Sequence, residues 1–164
     1  RDEFAVVGAS AGAGLAASLS IMTRDKKGPK LAFQLLLYPM LDDRGITESS
    51  NMTLDDRLWT KKLDKIAWNH YIGHVKEEDR NSYMAPAREK NLSALPPTYS
   101  FIGELDIFLD DTIIFVQRLL QAGVPTEFHI YPGCIHAFES FMPNAPISVK
   151  ATIDMLGALR KALS

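Results

Sequence analysis

The chain has 164 residues, 18 Lys and Arg against 20 Asp and Glu, a formal charge of −2, and 46% hydrophobic against 23% charged residues. That length suits one domain with its own core, and that balance excludes wholesale disorder and any electrostatic reason to expect nucleic acid as a partner. The single cysteine, Cys134, cannot form an internal disulfide, which excludes a stapled secreted scaffold. Arg1 rather than Met stands first, close to an apparent strand, so the chain reads as a piece of something longer. No basic stretch precedes an apolar run and a small-residue cleavage site, so no signal peptide is expected and the expected compartment is the cytoplasm.

In chain order, Glu3–Val7 reads as a short buried strand that ends in the turn GASAGAG. Leu15, Leu19 and Met22 then recur at helical spacing, with Arg24, Lys26 and Lys27 in the last turn and Gly28-Pro29 as the stop. Phe4–Thr23 carries no charge and holds Gly8 and Gly12 at GxxxG spacing, which invites a membrane reading. Only seven of its residues are strongly apolar, too few for hydrocarbon, so strand, turn and helix explain it better. Leu31–Tyr38 is a nearly continuous apolar run, as a parallel strand covered on both faces requires.

Pro39–Thr53 reads as irregular, and Trp59–Ile72 as a helix with Leu63, Ile66, Ala67 and Tyr71 on one side. Thr98–Ile102 predicts a third strand closed by Gly103. Phe108–Ala122 predicts a helix with Leu109, Ile113, Val116 and Leu120 in register, ended by Gly123 and Pro125. Thr126–Tyr131 alternates, with Phe128 and Ile130 against a wetter Glu127 and His129, as at a sheet edge. A last helix from Pro146 places Ile153, Leu156, Leu159 and Leu163 inward. Strand and helix alternate throughout, which predicts an α/β fold: a mostly parallel sheet of about four strands with flanking helices.

Gly8-Ala9-Ser10-Ala11-Gly12 matches G-x-S-x-G between a strand and a helix. A serine on so sharp a turn needs small neighbours, and its place at a helix N-terminus turns backbone N–H groups toward a developing oxyanion. The same letters also read as GxxxGxG, a phosphate-cradling turn of short-chain dehydrogenases, or as a tight turn without chemistry. The dehydrogenase reading needs Tyr-x-x-x-Lys, and no tyrosine here has a lysine four residues on.

A serine hydroxyl is a weak nucleophile until a base removes its proton and a third group orients that base. In α/β-hydrolases the order is serine, acid, histidine, each on a loop after a strand. Asp106 in GELDIFLDD follows the third expected strand and His136 in YPGCIHAFE the fourth, both at the carboxyl ends where α/β sites lie.

The stretches VVGASAGAGLAASL, LAFQLLLYPMLDDR, LSALPPTYSFIGELDIFLDD and LLQAGVPTEFHIYPGCIHAF resemble the carboxyl-terminal half of hormone-sensitive-lipase-like bacterial esterases, over nearly the whole chain. The resemblance implies the α/β-hydrolase fold and hydrolysis of carboxylic esters without metal or organic cofactor. It implies Ser10 as nucleophile, Asp106 as acid and His136 as base, with the Ala11 N–H as one oxyanion donor. Residues 1–164 would then be the carboxyl-terminal catalytic portion of such a domain. Ala9 stands where many members have Asp, and Ala137 replaces the Gly of the usual His-Gly-Phe. The family's further oxyanion donors come from an upstream His-Gly-Gly loop, and no His-Gly pair occurs in this sequence. Without the family's earlier strands the first strand becomes an exposed edge, so either a homo-oligomer contact or a missing amino-terminal segment is expected to cover it.

Competing residues have plain explanations. Asp110 and Asp111 suit the first turn of a helix, His129 a strand face, and Cys134 a loop thiol. His70 and His74, at i,i+4 with Glu77 and Glu78 nearby, have metal-ligand spacing but sit at a fraying helix end. Trp59, Trp68, Phe138, Phe141 and Met142 could line an acyl pocket or belong to the core, and both readings stay open. Two functions follow. One is a serine carboxylesterase acting on small, short-acyl esters; the other is an impaired fragment of one that self-associates through its bare edge.

Overall fold

The computed structural model describes residues 4–52, 55 and 57–164. Four strands, β1 (Phe4–Ala9), β2 (Leu31–Leu37), β3 (Thr98–Leu105) and β4 (Thr126–Ile135), alternate with α1 (Ala11–Asp25), α2 (Lys61–Ile72), α3 (Leu109–Gln121) and, after a single turn α4 (Phe138–Phe141), α5 (Pro146–Ala162). The strands form one sheet in the order β1-β2-β3-β4, with every pair parallel. The alternation predicted from the sequence is the alternation found. Glu3, where the first strand was expected to open, and Thr53, at the end of the expected irregular stretch, lie outside the described residues.

Both faces of the sheet are covered, which explains the unbroken apolar run of β2. Phe33, Leu35 and Leu37 join Tyr99, Phe101 and Phe138 in a core closed by α5, while Leu36 joins Ala13, Ala17, Ile21, Phe115 and Leu119 in a core closed by α1 and α3. Period-two alternation therefore points every second residue at a different apolar layer. The one polar residue of the run, Gln34, is fully buried and donates through Nε2 to Thr98 Oγ1 at 2.8 Å.

The predicted strand ends need correction. β3 does not close at Gly103 but runs to Leu105, and β4 runs four residues past Tyr131 to Ile135, with an irregular register between Gly103 and Leu105. A Cβ at Gly103 would overlap the Cys134 carbonyl, so the two strands approach at a distance only glycine allows. Cys134 is thus a buried strand residue rather than a loop thiol, and burial raises its pKa. The expected alternation of β4 fails at its end: Ile130 is exposed and Tyr131 buried.

The helix faces also differ from those the sequence predicts. In α1 the buried residues are small (Ala13, Gly14, Ala16, Ala17, Ser18, Ser20, with Ile21), and Leu15 and Leu19 are half exposed. In α2 the inner stripe is Asp64, Trp68 and Ile72, an i, i+4, i+8 row that leaves Leu63, Ile66 and Tyr71 outside. In α3 the buried residues are Asp111, Thr112, Phe115, Val116 and Leu119, while Ile113 and Leu120 face out. In α5 Leu159 packs partly against the core, but Ile153 and Leu156, and Leu163 just past its end, are exposed. Phe4 and Val7 are more than half exposed on the edge strand β1, and Leu15 and Leu19 are exposed on the neighbouring α1.

Asp111 shows how burial sets charge. Its carboxyl lies against Asp42 and has its pKa pushed up to about 7, chiefly by burial and then by that like charge. An unfolded aspartate ionises near pH 3.9, so the folded chain holds a proton that the unfolded chain has released; this group's contribution to stability therefore falls as pH rises from about 4 to 7. Asp111→Asn should gain about 2–3 kcal/mol on the wild type between pH 5 and pH 8, read from urea midpoints at the two values. A constant difference would show that Asp111 is ionised throughout.

Candidate active site

Three carboxyl ends of the sheet converge at one edge of the molecule, as they do in open parallel sheets. Ser10 follows β1 directly, at φ 55° and ψ −121°, an unfavourable backbone conformation for a residue with a Cβ. Both its backbone groups are tied down. Its N–H donates to Leu37 O at 2.9 Å, and its carbonyl accepts from Met40, Ala13 and Gly14 N–H at 3.1, 3.0 and 3.2 Å. Gly8 makes the turn possible, because a Cβ there would overlap the Gly12 carbonyl and stand 2.6 Å from Ala13 N. Gly12 is different: a Cβ there would meet nothing within 4 Å, so the expected need for a small residue on both sides holds for Gly8 alone.

Ser10 Oγ lies 2.9 Å from His136 Nε2, and His136 Nδ1 lies 2.7 Å from Asp106 Oδ2. Asp106 is 0% exposed, and its other oxygen accepts from Phe108 N–H at 3.0 Å, which fixes the carboxylate plane. With Asp106 accepting from Nδ1–H, the tautomer that satisfies all three groups leaves Nε2 free to accept from the serine hydroxyl. The structure therefore brings together the three residues that sequence order picked out. The Ala11 N–H, at the first position of α1, has no hydrogen-bond acceptor among the described residues and sits beside Ser10. Ala137 holds φ 55° and ψ 33°, a left-handed conformation that costs a non-glycine residue roughly 1 kcal/mol; this is where the resemblance predicts Gly.

An aromatic shell encloses the imidazole. Tyr38 and Phe108 meet it edge-on, with centroids at 4.9 and 5.4 Å, and Trp59 stacks over it at 6.1 Å and 28°. Tyr38 donates to Glu139 Oε1 at 2.6 Å, and burial together with that carboxylate drives its pKa far above the ordinary phenol value. Tyr38 and Glu139 were not singled out from the sequence. The available signal was only their positions, one just past β2 and the other three residues after His136. Of the five candidate pocket residues, Trp59 touches the imidazole; Trp68 lines an apolar cavity of about 210 Å3 with Ala11, Gly14, Leu15, Met40 and Met84. Phe138 is core, and Phe141 and Met142 are exposed.

The competing residues lie elsewhere. Asp110 accepts from Ser49 N–H at 2.8 Å, and His129 pairs with Glu127 at 2.9 Å on the far part of β4. His70 and His74 are exposed, and among the described residues no three His, Cys, Asp or Glu side chains form a metal-holding group. No helix among those residues is long and apolar enough to cross a membrane.

Comparison with known proteins agrees with this geometry. A family profile described as alpha/beta hydrolase fold matches residues 1–140. Esterase LipI of Mycobacterium tuberculosis is 34% identical over 161 residues, covering 97% of this chain and 50% of that protein. Carboxylesterase NlhH of the same organism is 33% identical, covering 99% and 51%. Among solved structures, a bacterial heroin esterase superposes with a TM-score of 0.93 at 38% identity, covering 98% of this chain and 51% of that one. Esterase LipW of Mycobacterium marinum superposes with 0.90 at 36%, covering 97% and 49%. The chain spans about half the length of the relatives it matches. With an elbow serine, a four-stranded parallel sheet and a profile match over most of its length, the chain belongs to the α/β-hydrolase fold family, in its hormone-sensitive-lipase-like branch.

Proposed function

We propose that this chain is the carboxyl-terminal, catalytic portion of a serine carboxylesterase that cleaves small, short-acyl esters through an acyl-enzyme. The observation that carries the reading is the unbroken run from Ser10 Oγ through the two nitrogens of His136 to a fully buried Asp106. His136 takes the hydroxyl proton as Ser10 Oγ attacks the ester carbonyl, and the Ala11 N–H donates to the oxyanion that forms. His136 then passes the proton to the leaving alcohol. Water, activated by the same nitrogen, attacks the acyl-enzyme and releases the acid. Asp106 keeps the imidazole in the productive tautomer and stabilises its cation. No step requires a metal or organic cofactor.

The apolar cavity beside Ala11, at about 210 Å3, is smaller than the 300–1,000 Å3 of drug-sized pockets and supports a short acyl group. One donor is a weak oxyanion hole, and losing a donor costs roughly 100- to 1,000-fold in rate. In this reading the remaining donors, and the cover for the apolar edge of Phe4, Val7, Leu15 and Leu19, come from the amino-terminal segment that would account for the relatives' greater length. The exposed edge also favours a second reading, in which the 164 residues alone are an impaired fragment that self-associates there. Hydrolysis of p-nitrophenyl acetate, butyrate and decanoate by the full-length protein and by the chain alone separates the two. The proposal expects acetate and butyrate ahead of decanoate, and full-length protein at least 100-fold ahead of the chain. Decanoate preferred would overturn the short-acyl reading, and equal rates would overturn the need for an upstream donor.

A further inference from the structure

Asp64 is a carboxylic acid on the apolar inner stripe of α2, 7% exposed, in a row with Trp68 and Ile72. Its Oδ1 is buried with no partner in hydrogen-bond geometry, and the same is true of Trp59 Nε1. The two orphans are neighbours: the Trp59 indole N–H lies near enough to the Asp64 carboxyl to favour its ionised form, yet short of a formed hydrogen bond. A buried donor and a buried acceptor left apart cost free energy, so a small closure between them is favoured. Trp59 belongs to no helix or strand, and it is the residue whose ring face covers His136.

We propose that Asp64 is a positioning residue, whose buried carboxyl accepts from the Trp59 indole N–H and so holds the indole face over the His136 ring. The proposal rests on the reading of His136 as the base. A face-on indole favours the imidazolium that forms in each half-reaction, since the face of an aromatic ring attracts a cation. Tyr38 and Phe108 stand at 71° and 80° to the imidazole plane, so neither stacks on it as Trp59 does.

The charges around Asp64 decide when it ionises. Asp106 and Asp42 oppose its ionisation and His136 favours it, while Asp64 in turn opposes that of Asp111. On the outer side, Arg44, Lys61, Lys65 and Arg80 line a cavity of about 180 Å3 with Asp64 and Asp43. Arg44 is committed to Asp42 and Arg80 to Asp43, and no cation bonds Asp64 among the described residues. Burial above all then pushes the Asp64 pKa up to about 7. Ionisation near neutral pH makes Asp64 a stronger acceptor and adds a negative charge on the imidazole side, so the hold on Trp59 tightens as pH rises through 7.

The test follows the indole directly. Full-length protein labelled with 15N-tryptophan gives a Trp59 Nε1–H signal, assigned by its loss in Trp59→Phe, and the signal is followed from pH 5 to 9. A transition near pH 7 is expected in the wild type, in Ser10→Ala and in His136→Gln, and is expected to vanish in Asp64→Asn. No transition, or the same transition in Asp64→Asn, would overturn the proposal. In parallel, Asp64→Asn, which keeps an acceptor oxygen, should hold kcat within about threefold. Asp64→Leu should lower kcat about tenfold or more with KM little changed. Equal kcat in the Asn and Leu variants would contradict positioning. If Asp64→Leu does not fold, the Asp64→Asn titration still decides. Absence of ester hydrolysis in every variant would instead defeat the activity reading, and the indole titration would still report on the pair.

Discussion

Ser10→Ala in the full-length protein should lower kcat for p-nitrophenyl acetate by about a million-fold, with KM nearly unchanged. The size of the effect follows from the hydrogen-bonded run. On the proposed mechanism the hydrogen-bonded Ser10, His136 and Asp106 work as one unit, so His136→Ala should cost about as much, and the double variant no more than either alone. Asp106→Asn keeps the shape of the site, but a neutral amide at 2.7 Å from Nδ1 can reverse the imidazole tautomer; a loss of about 10,000-fold is expected. Additive losses would show that the three residues do not work together, and a loss below tenfold for Ser10→Ala would move the nucleophile elsewhere.

The second large effect is on stability. Gly8→Ala should destabilise the chain by about 3 kcal/mol or more, because the added methyl would overlap the Gly12 carbonyl and crowd Ala13 N, which are backbone atoms that cannot turn aside. Relief requires the elbow itself to move, so activity should fall further than stability alone explains. Gly12→Ala is the control. Its Cβ would meet open space, and within α1 alanine is preferred to glycine, so stability should stay equal or rise by up to about 1 kcal/mol. Urea unfolding of both variants in the full-length protein measures the contrast. Equal losses would mean that the elbow has room the structure does not show, or that Gly12 is covered by another segment.

The course of the chain was legible because each element carries its own punctuation. The turn GASAGAG, the stop Gly28-Pro29, the apolar run of β2 and the Gly123 and Pro125 pair each mark a boundary that the structure keeps to within a few residues. Ser10, Asp106 and His136 were legible because each follows a strand, and parallel strands deliver their carboxyl ends to one edge. Helix faces were not. Periodicity counts large apolar residues, and in α1 that gives Leu15 and Leu19, whereas close packing on the sheet selects Ala13, Ala16 and Ala17. In α2 the true inner stripe contains an acid, Asp64, which a hydrophobic pattern skips by construction. Tyr38 and Glu139 show a further limit: a hydrogen bond between residues 101 positions apart leaves no local trace.

The acyl-enzyme tests the central claim most directly. The full-length protein, mixed with p-nitrophenyl acetate and quenched in acid within milliseconds, is digested, and the peptide containing Ser10 is weighed. The account predicts one acetyl group on Ser10 that forms as fast as the nitrophenol burst and is absent from His136→Ala. Undiminished turnover with the acetyl group on another residue, or with none on Ser10 at any time, would contradict it.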